Sequence, residues 1–363
     1  MKRFDIAIVG GGIAGAAFAA EIAPHASVVV LEAEDVAGYH STGRSAAFWS
    51  ETYGGPYVQP LTSASGDAIA PYLLPLGSLH IGRAEEAPLI DAFLAEFAGS
   101  GVDLTRVDPA EHVPGLRPEW TLGILEPSCA YIDVAGLHAE ALGRMKKAGG
   151  VIWTNAGFRG AARSGGDWQV DTAAGPVAAG ILVDAAGAWA DPVAAQVGAR
   201  PLGIQPYRRT LAQLRTDPPT HEGMAHVAHI GGSFYFKPEA GGKLWLSPSD
   251  ETPTDPCDAA PEELDVAIAI DRLEQVVDWR VQAVERKWAG LRTFAPDRLP
   301  VYGFDPQVAG FFWCAGQGGF GIQTAPAGSR VAAALLLGRT PDVSVAGIDP
   351  TRYAPDRFGT RLD

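Results

Sequence analysis

The chain has 363 residues, of which 47% are hydrophobic and 19% charged, and its formal net charge is −14. This length predicts two domains, or one domain with a large insertion. The acidic balance argues against a surface for nucleic acids or anionic membranes. Three widely spaced cysteines predict neither a disulfide framework nor a zinc site, and no metal is expected. No apolar stretch is long enough to span a bilayer, and the N-terminal apolar run is too short for a secretion signal, so we expect a cytoplasmic protein.

The predicted elements change in character along the chain. The first 34 residues predict a β-turn-α-β unit, with buried strands at 5–9 and 26–34 around a helix at 13–23. The middle predicts sheet hairpins among helices: helices at 61–74, 87–99, 135–150 and 264–277, strands at 78–83 and 151–162, and hairpins within 167–190 and 233–249. Residues 310–338 predict a strand, a glycine-rich turn and a helix. We therefore expect a nucleotide-binding domain that is interrupted by a second, sheet-based domain.

The turn "GGGIAG" fits the dinucleotide pattern G-x-G-x-x-G with Gly10, Gly12 and Gly15. Gly10 permits the sharp turn, Gly12 lets the backbone approach a pyrophosphate, and Gly15 lets helix and strand pack closely. The N-terminus of the helix presents free N–H groups to the phosphates. Glu32 ends the next strand and can accept hydrogen bonds from ribose hydroxyls, which disfavours NADP. The turn alone leaves NAD and FAD open.

The stretch "GYHSTGRSAAFW", residues 38–49, favours FAD. An NAD-binding fold would continue from Glu32 into its next unit, whereas here small residues allow the backbone to lie against a flat ring. The hydroxyls of Ser41, Thr42 and Ser45 can bond phosphate or ring heteroatoms. Arg44 offers a fixed charge to the pyrophosphate. A small-residue turn with a solvated arginine is the alternative for this stretch.

With these segments in hand, the chain resembles the FAD-dependent D-amino acid oxidase family, which includes glycine oxidases, sarcosine oxidases and flavin D-amino acid dehydrogenases. The resemblance is carried in order by "DIAIVGGGIAGAA", "GYHSTGRSAA", "LVDAAGAWA", "SFYFKP", "WAGLR" and "GQGGFGIQTAPA". It is strongest toward the dehydrogenases.

The resemblance implies an α/β fold with a Rossmann-like FAD-binding domain and a second, substrate domain built on a mixed, mainly antiparallel β-sheet. We expect the FAD-binding domain at 1–58, 136–203 and 289–363, and the substrate domain at 59–135 and 204–288. The implied reaction moves a hydride from the α-carbon of an amino acid to flavin N5. The imino acid product then hydrolyses to a keto acid and ammonia.

The resemblance also implies the residues of the substrate site. Arg292 matches the carboxylate-binding arginine, and its planar fork suits a carboxylate better than a lysine would. Tyr235 matches a tyrosine that caps the same carboxylate. Arg209 matches a second arginine near the site, and Tyr53 a tyrosine on the loop above it. Without the resemblance, these residues would be interpreted as surface charges and packing.

The FAD contacts implied by the resemblance fall in the same motifs. Gly319 and Gly321 clear space for the flavin ring, and a helix that begins near Ile322 would favour the anionic reduced ring by roughly 0.3–2 kcal/mol. Gln323 and Thr324 are further flavin candidates, and Phe158 would lay its backbone against the adenine. The remaining expected contacts are Ile13, Ala14, Ala33, Ala46, Ala47, Ala186, Gly187 and Trp189.

Three departures from the family pattern refine the expectation. Family members that act on D-arginine carry a histidine where this chain has Phe48, and an acid at the position that aligns with Ser78. With Phe48 and Trp49 lining an apolar pocket and no acid to hold a cation, we expect a neutral, hydrophobic or aromatic D-amino acid as substrate. Sarcosine oxidases attach FAD to a cysteine where this chain has Phe294, so we expect non-covalent FAD.

Other functions fit the same sequence. The carboxylate anchor would serve an N-methyl or secondary amine oxidase, or a flavin 2-hydroxy acid dehydrogenase. A flavoprotein in which FAD is structural and the chain binds a partner is a third possibility. The electron acceptor, oxygen or a quinone-like compound, is left open.

Overall fold

The computed structural model describes residues 1–46, 48–221 and 223–359. The α-helices are α1 (Ile13–Ile22), α2 (Gln59–Ile69), α3 (Ala87–Glu96), α4 (Val134–Lys147), α5 (Ala190–Gln196), α6 (Glu263–Glu274) and α7 (Gly321–Leu337). The strands are β1 (Lys2–Val9), β2 (Val28–Leu31), β3 (Phe48–Trp49), β4 (Leu73–Pro75), β5 (Ser78–Gly82), β6 (Thr105–Val107), β7 (Leu122–Glu126), β8 (Ala130–Ile132), β9 (Val151–Trp153), β10 (Phe158–Ser164), β11 (Asp167–Thr172), β12 (Val177–Asp184), β13 (Gln205–Asp217), β14 (His226–His229), β15 (Tyr235–Glu239), β16 (Lys243–Ser247), β17 (Thr252–Pro253), β18 (Arg280–Phe294), β19 (Val301–Phe304), β20 (Phe311–Ala315) and β21 (Gln317–Gly318). In the described ranges, no helix is long and apolar enough to cross a membrane.

The first sheet is the nucleotide-binding one. Its strands run in the order β10-β11-β12-β1-β2-β9, with β20 beside β12 and β19 beside β20. The pairs β1–β2, β1–β12, β2–β9 and β12–β20 are parallel. Apolar clusters cover both of its faces, which explains why β2 is a continuous run of buried apolar residues.

Helix α1 packs unusually close to the turn that precedes it. Gly10 has φ +103°, and a methyl group placed on Gly15 would lie 2.0 Å from the carbonyl oxygen of Gly10. The predicted β-turn-α-β unit is therefore present, and the glycines allow the tight contact between turn and helix.

The second sheet is mixed and mainly antiparallel, as expected. Its order is β21-β18-β13-β16-β15-β14-β5-β7-β6, with β17 beside β13, and its β14–β5 pair is parallel. The long strands β13 and β18 pair in a register that places Tyr207 opposite Arg292 and Arg209 opposite Gly290. Because side chains alternate along a strand, Arg209 and Arg292 project from the same face of the sheet.

Two sequence-based element predictions were wrong in extent. Residues 151–162 do not form one strand: the chain leaves β9 after Trp153, takes a left-handed conformation at Asn155 (φ +51°), and begins β10 at the opposite edge of the sheet. The helix expected at 61–74 ends at Ile69, because Pro71 has no N–H with which to continue the helical hydrogen bonds, and Ala70–Tyr72 form a single 3-10 turn instead. Strand β18 also runs across the domain boundary that we expected between 288 and 289.

We predict that Gly15→Ala destabilises the fold by about 1–3 kcal/mol, because the added methyl group forces helix α1 away from the turn. The matched control is Gly143→Ala in α4, where an added methyl group meets nothing within 4 Å. That change should stabilise the helix by up to about 1 kcal/mol. Urea unfolding of the two variants measures both effects, and equal stabilities would contradict the close-packing account.

Candidate active site

A cavity of about 480 Å³ lies between the two sheets. It is lined by the motifs near the start of the chain and by those near its end. It is bordered at one end by the turn that contains Gly10 and Gly12, and at the other by Arg292, Tyr235 and the turn before α7. Every predicted site residue lines it except Gly15, Thr324 and Ala47, of which Ala47 lies outside the described residues. The predicted nucleotide and substrate residues therefore face one continuous space.

The end of the cavity at α1 has the features of a phosphate-binding turn. Gly12 caps the helix without a side-chain hydrogen bond, and the Ile13 N–H donates to Thr42 Oγ1 at 3.0 Å. The buried Glu32 accepts from the backbone N–H groups of Gly11 at 2.9 Å and Glu34 at 3.0 Å. The carboxylate thus braces the turn from the end of β2, next to where a ribose would lie.

The loop at 38–46 is held to the second sheet. Ser41 Oγ donates to the carbonyl of Leu291 at 2.7 Å. The guanidinium of Arg44 bonds Asp258 and the carbonyl oxygen of Ala259. Arg44 also lines the cavity, and its expected role toward the pyrophosphate stays a prediction. Together these bonds anchor the loop on the second sheet.

Helix α7 begins at the cavity, at Gly321, and its N-cap Phe320 makes no side-chain capping bond. Gly319 and Ile322 line the space there, as predicted. Thr324 was expected at the flavin, but it is fully buried and its hydroxyl donates to the Phe320 carbonyl of its own helix at 2.9 Å. Thr324 lies two positions after Ile322, about 200° around the helix, so its side chain points away from the cavity.

The substrate end concentrates arginine and tyrosine around one backbone position. A methyl group on Gly319 would lie 2.0 Å from the Tyr53 hydroxyl oxygen and 2.9 Å from Arg292 Nε. The Arg292 guanidinium carbon is 5.6 Å from the centre of the Tyr53 ring. Only a glycine leaves room here for both side chains to meet the backbone.

The two arginines differ in how their charges are balanced. Arg209 is buried, donates to the Asp250 carbonyl at 2.8 Å and lies 3.3 Å from Glu251 Oε1. In the part of the chain that the structure describes, Arg292 has no carboxylate within 4.0 Å. Arg292 is therefore the positive group that the cavity wall leaves available to a ligand.

The pKa values of these arginines follow the same pattern. Burial and the neighbouring charge of Arg292 lower the pKa of Arg209. Burial would also lower the pKa of Arg292, but Tyr53, Tyr235 and the more distant carboxylates of Glu251 and Asp250 outweigh it and raise the pKa. Arg292 therefore stays charged although it lies in the wall between two domains.

An aromatic wall closes the cavity beside the arginines. The ring of Phe48 lies 5.9 Å from Tyr235, 5.5 Å from Tyr53 and 4.3 Å from His226, measured between ring centres. Trp49 was expected to share this wall, but it packs in a separate apolar cluster with Ile69. Successive residues of β3 point to opposite faces, so only one of the two aromatic rings can reach the cavity.

Behind Phe48 lies a buried polar layer that the sequence did not reveal. Ser78, which aligned with a substrate-binding acid, bonds His226 Nδ1 at 2.9 Å. Directly opposite Ser78 on the sheet is Glu126, a fully buried carboxylate, with His80 Nε2 at 3.7 Å. These residues come together through the pairing of β5 with β7 and β14. The one local signal in the sequence was the acid Glu126 at the end of the apolar strand "LGILE".

The fold and the cavity define a dinucleotide-binding protein. The nucleotide end of its cavity is continuous with a wall that contains Arg292, Tyr53 and Tyr235. The sequence model of the FAD dependent oxidoreductase family matches residues 5–335. The chain therefore belongs to this family, and FAD is its cofactor.

Relatives across the family resemble this chain over its length. Glycine oxidase of Geobacillus kaustophilus is 25% identical over 97% of both chains. Its crystal structure superposes with a TM-score of 0.81 at 23% identity, covering 96% of this chain and 99% of that one. The L-proline dehydrogenase structure from P. horikoshii gives a TM-score of 0.83 at 22% identity over 97% and 98% of the two chains. D-amino acid dehydrogenase of Cereibacter sphaeroides is 42% identical over a shorter segment, 19% of this chain and 16% of its own.

The residues present fit FAD. Glycines border the cavity at its phosphate turn and again at Gly319 and Gly321, so backbone can approach a flat cofactor at both ends. Backbone around Phe158, Ala186 and Gly187 completes the nucleotide side, with Trp189 beside it. In the described ranges, no cysteine lines the cavity, and non-covalent attachment of FAD stays a prediction. Nor do those ranges contain a cluster that could hold a metal ion.

The buried His226 predicts a specific pH dependence of stability. Burial, with His80 and Lys237 nearby, holds its pKa well below the ordinary value of 6.5. As pH falls below 6.5, the unfolded chain binds this proton first, so the free energy of unfolding falls by up to about 1.4 kcal/mol per pH unit. His226→Asn should remove this component of the slope between neutral pH and pH 5.

Urea unfolding at several pH values measures the slope for both proteins. His25→Asn, at an exposed position, is the matched control and should leave the slope close to that of the native protein. An unchanged slope in His226→Asn would show that this imidazole does not contribute.

Proposed function

We propose that the protein oxidises D-amino acids with neutral or hydrophobic side chains, giving an imino acid that hydrolyses to a keto acid and ammonia. The observation that carries this proposal is Arg292, a charged guanidinium that lines the cavity without a carboxylate partner among the described residues. A substrate carboxylate supplies the missing partner, and the guanidinium fork can bind it through two parallel hydrogen bonds.

The neighbouring residues would fix the orientation of the bound amino acid. The hydroxyl of Tyr53 lies beside Gly319, and Tyr235 lines the same wall, so both phenols can donate to the carboxylate that Arg292 holds. Bound FAD supplies the acceptor for the hydride of the α-carbon. Orientation of this kind contributes much of what such a reaction requires from the protein.

Arg209 has a different role in this proposal. Its charge is balanced by Asp250 and Glu251, while its side chain still lines the cavity. Because its charge is balanced, it would not compete for the substrate carboxylate, and its side chain would form part of the cavity wall on the strand next to that of Arg292.

The side-chain preference rests on the wall formed by Phe48. This ring faces the cavity and covers His226. The buried acid nearest to this wall, Glu126, already accepts hydrogen bonds from Ser50, Glu51 and Thr52. A cationic side chain would therefore lose its hydration without gaining a free carboxylate, which is unfavourable.

Secondary amines are the second candidate class. Glycine oxidase and L-proline dehydrogenase both resemble this chain over nearly its full length. Glycine, in the first name, is a primary amine, and proline, in the second, is a secondary amine. The D configuration in our proposal is supported by the short segment shared with D-amino acid dehydrogenase.

The decisive experiment is anaerobic reduction of the bound flavin by a substrate panel. Neutral and aromatic D-amino acids should bleach the flavin absorbance rapidly, while D-arginine, N-methyl amino acids and 2-hydroxy acids should do so slowly. Faster bleaching by N-methyl amino acids would favour the secondary-amine alternative. Bleaching by none of these compounds would indicate that FAD is structural and that the chain binds a partner instead.

We predict that Arg292→Met lowers kcat/KM for the best substrate by roughly 10²–10³-fold, because it leaves the substrate carboxylate without its charged partner. Arg292→Lys should recover only part of this loss, since an ammonium cannot bind both carboxylate oxygens in the same plane. Arg286→Met, at an exposed position on the same strand, is the matched control and should change kcat/KM little. Equal losses in the Arg286 and Arg292 variants would contradict the anchor.

A further inference from the structure

We infer that Glu126 is a positioning residue for Tyr53, acting through the loop of residues 50–53. This inference rests on the proposed function, because it takes Tyr53 to face the substrate carboxylate. Glu126 ends strand β7 of the second sheet, does not line the cavity and is fully buried.

All the close donors to the Glu126 carboxylate come from this one loop. Oε2 accepts from Thr52 Oγ1 at 2.6 Å and from Ser50 Oγ at 2.9 Å, and Oε1 accepts from the Glu51 N–H at 2.7 Å. Ser128 Oγ at 3.5 Å and His80 Nε2 at 3.7 Å lie farther from the carboxylate. The three residues that precede Tyr53 are thus bound to a single side chain.

The carboxylate is charged in this setting. Burial would raise the pKa of Glu126, but His80 and the hydroxyls of Thr52 and Ser50 outweigh it and hold the pKa below its usual range. A buried charge that loses its hydrogen bonds is costly. Any displacement of the loop therefore leaves Glu126 unsatisfied, and this penalty favours the one loop conformation that presents Tyr53.

A second buried side chain holds the same loop from the flavin side. Gln323, in the first turn of α7, accepts from the Ser50 N–H at 3.1 Å and donates to the carbonyls of Ser50 at 3.0 Å and Tyr53 at 3.2 Å. Its amide also donates to Thr62 at 2.9 Å. The loop is clamped between the substrate sheet and the turn that borders the flavin, so Tyr53 is fixed relative to both.

The test uses the FAD-loaded protein and two readouts that need no turnover. The first is hydrogen exchange in peptides covering residues 48–58. The second is the affinity for 3-phenylpropanoate, which has a carboxylate and an aromatic ring but no amine to oxidise, measured from the flavin difference spectrum. The variants are Glu126→Ala, Glu126→Gln, Tyr53→Phe and the double variant Glu126→Ala with Tyr53→Phe. Glu285→Ala, which removes a surface carboxylate from the same sheet, is the control.

Glu126→Ala should speed exchange in the 48–58 peptides about tenfold or more and weaken 3-phenylpropanoate binding about tenfold. Glu126→Gln should recover most of both, because its amide oxygen can still accept from the Glu51 N–H. In the Tyr53→Phe background, Glu126→Ala should cost little additional affinity, since the two residues act through one contact.

Three outcomes would overturn the inference: unchanged exchange in the 48–58 peptides, the same loss of affinity in both Tyr53 backgrounds, or no binding of 3-phenylpropanoate by the native protein. Failure of the proposed function has a different signature. In that case the native protein would bind 3-phenylpropanoate through Arg292, yet no D-amino acid would bleach its flavin.

Discussion

Two arginines project from one face of the second sheet, and among the residues that the structure describes only Arg209 has carboxylates within 4.0 Å. Arg209 is balanced by Asp250 and Glu251, whereas Arg292 stands against two phenols and the backbone at Gly319. A guanidinium in such a wall is stable because phenols and distant acids sustain its charge, yet they do not saturate its donors. Under the proposed function, this imbalance lets the wall bind the carboxylate of a substrate.

The net charge of −14 makes this arrangement informative. Acidic residues outnumber basic ones in the chain. The positive groups at the cavity, such as Arg292, are therefore brought there by the fold and do not reflect the overall composition. The N-termini of α1 and α7 open onto the cavity at opposite ends, and both caps lack side-chain acceptors. The N-terminal dipole ends of both helices add positive potential at the two ends of the cavity, although the Ile13 N–H of α1 is itself bonded to Thr42.

Local sequence was sufficient for the nucleotide end and insufficient for the layer behind the substrate. Gly10, Gly12 and Glu32 lie within one β-turn-α-β unit, so their spacing defines their geometry. Glu126 and His226 are 100 residues apart and meet only through the pairing of β5 with β7 and β14, which no local pattern encodes. Arg44 makes a contact of the same long-range kind: it lines the cavity and also pairs with Asp258, 214 residues away. Its role toward the pyrophosphate stays a prediction.

The polar layer behind Phe48 changes how the substrate preference is understood. Sequence comparison suggested that the pocket is apolar because an acid is missing. The structure instead places an acid and two imidazoles there, with the Phe48 ring 4.3 Å from that of His226. The apolar wall is therefore one side chain thick, and under the proposed function Phe48 would favour neutral side chains by covering these polar groups. Glu126 is also engaged with the loop that carries Tyr53. Under the proposed function it would therefore help to orient the substrate carboxylate and would not be free to pair with a cationic side chain.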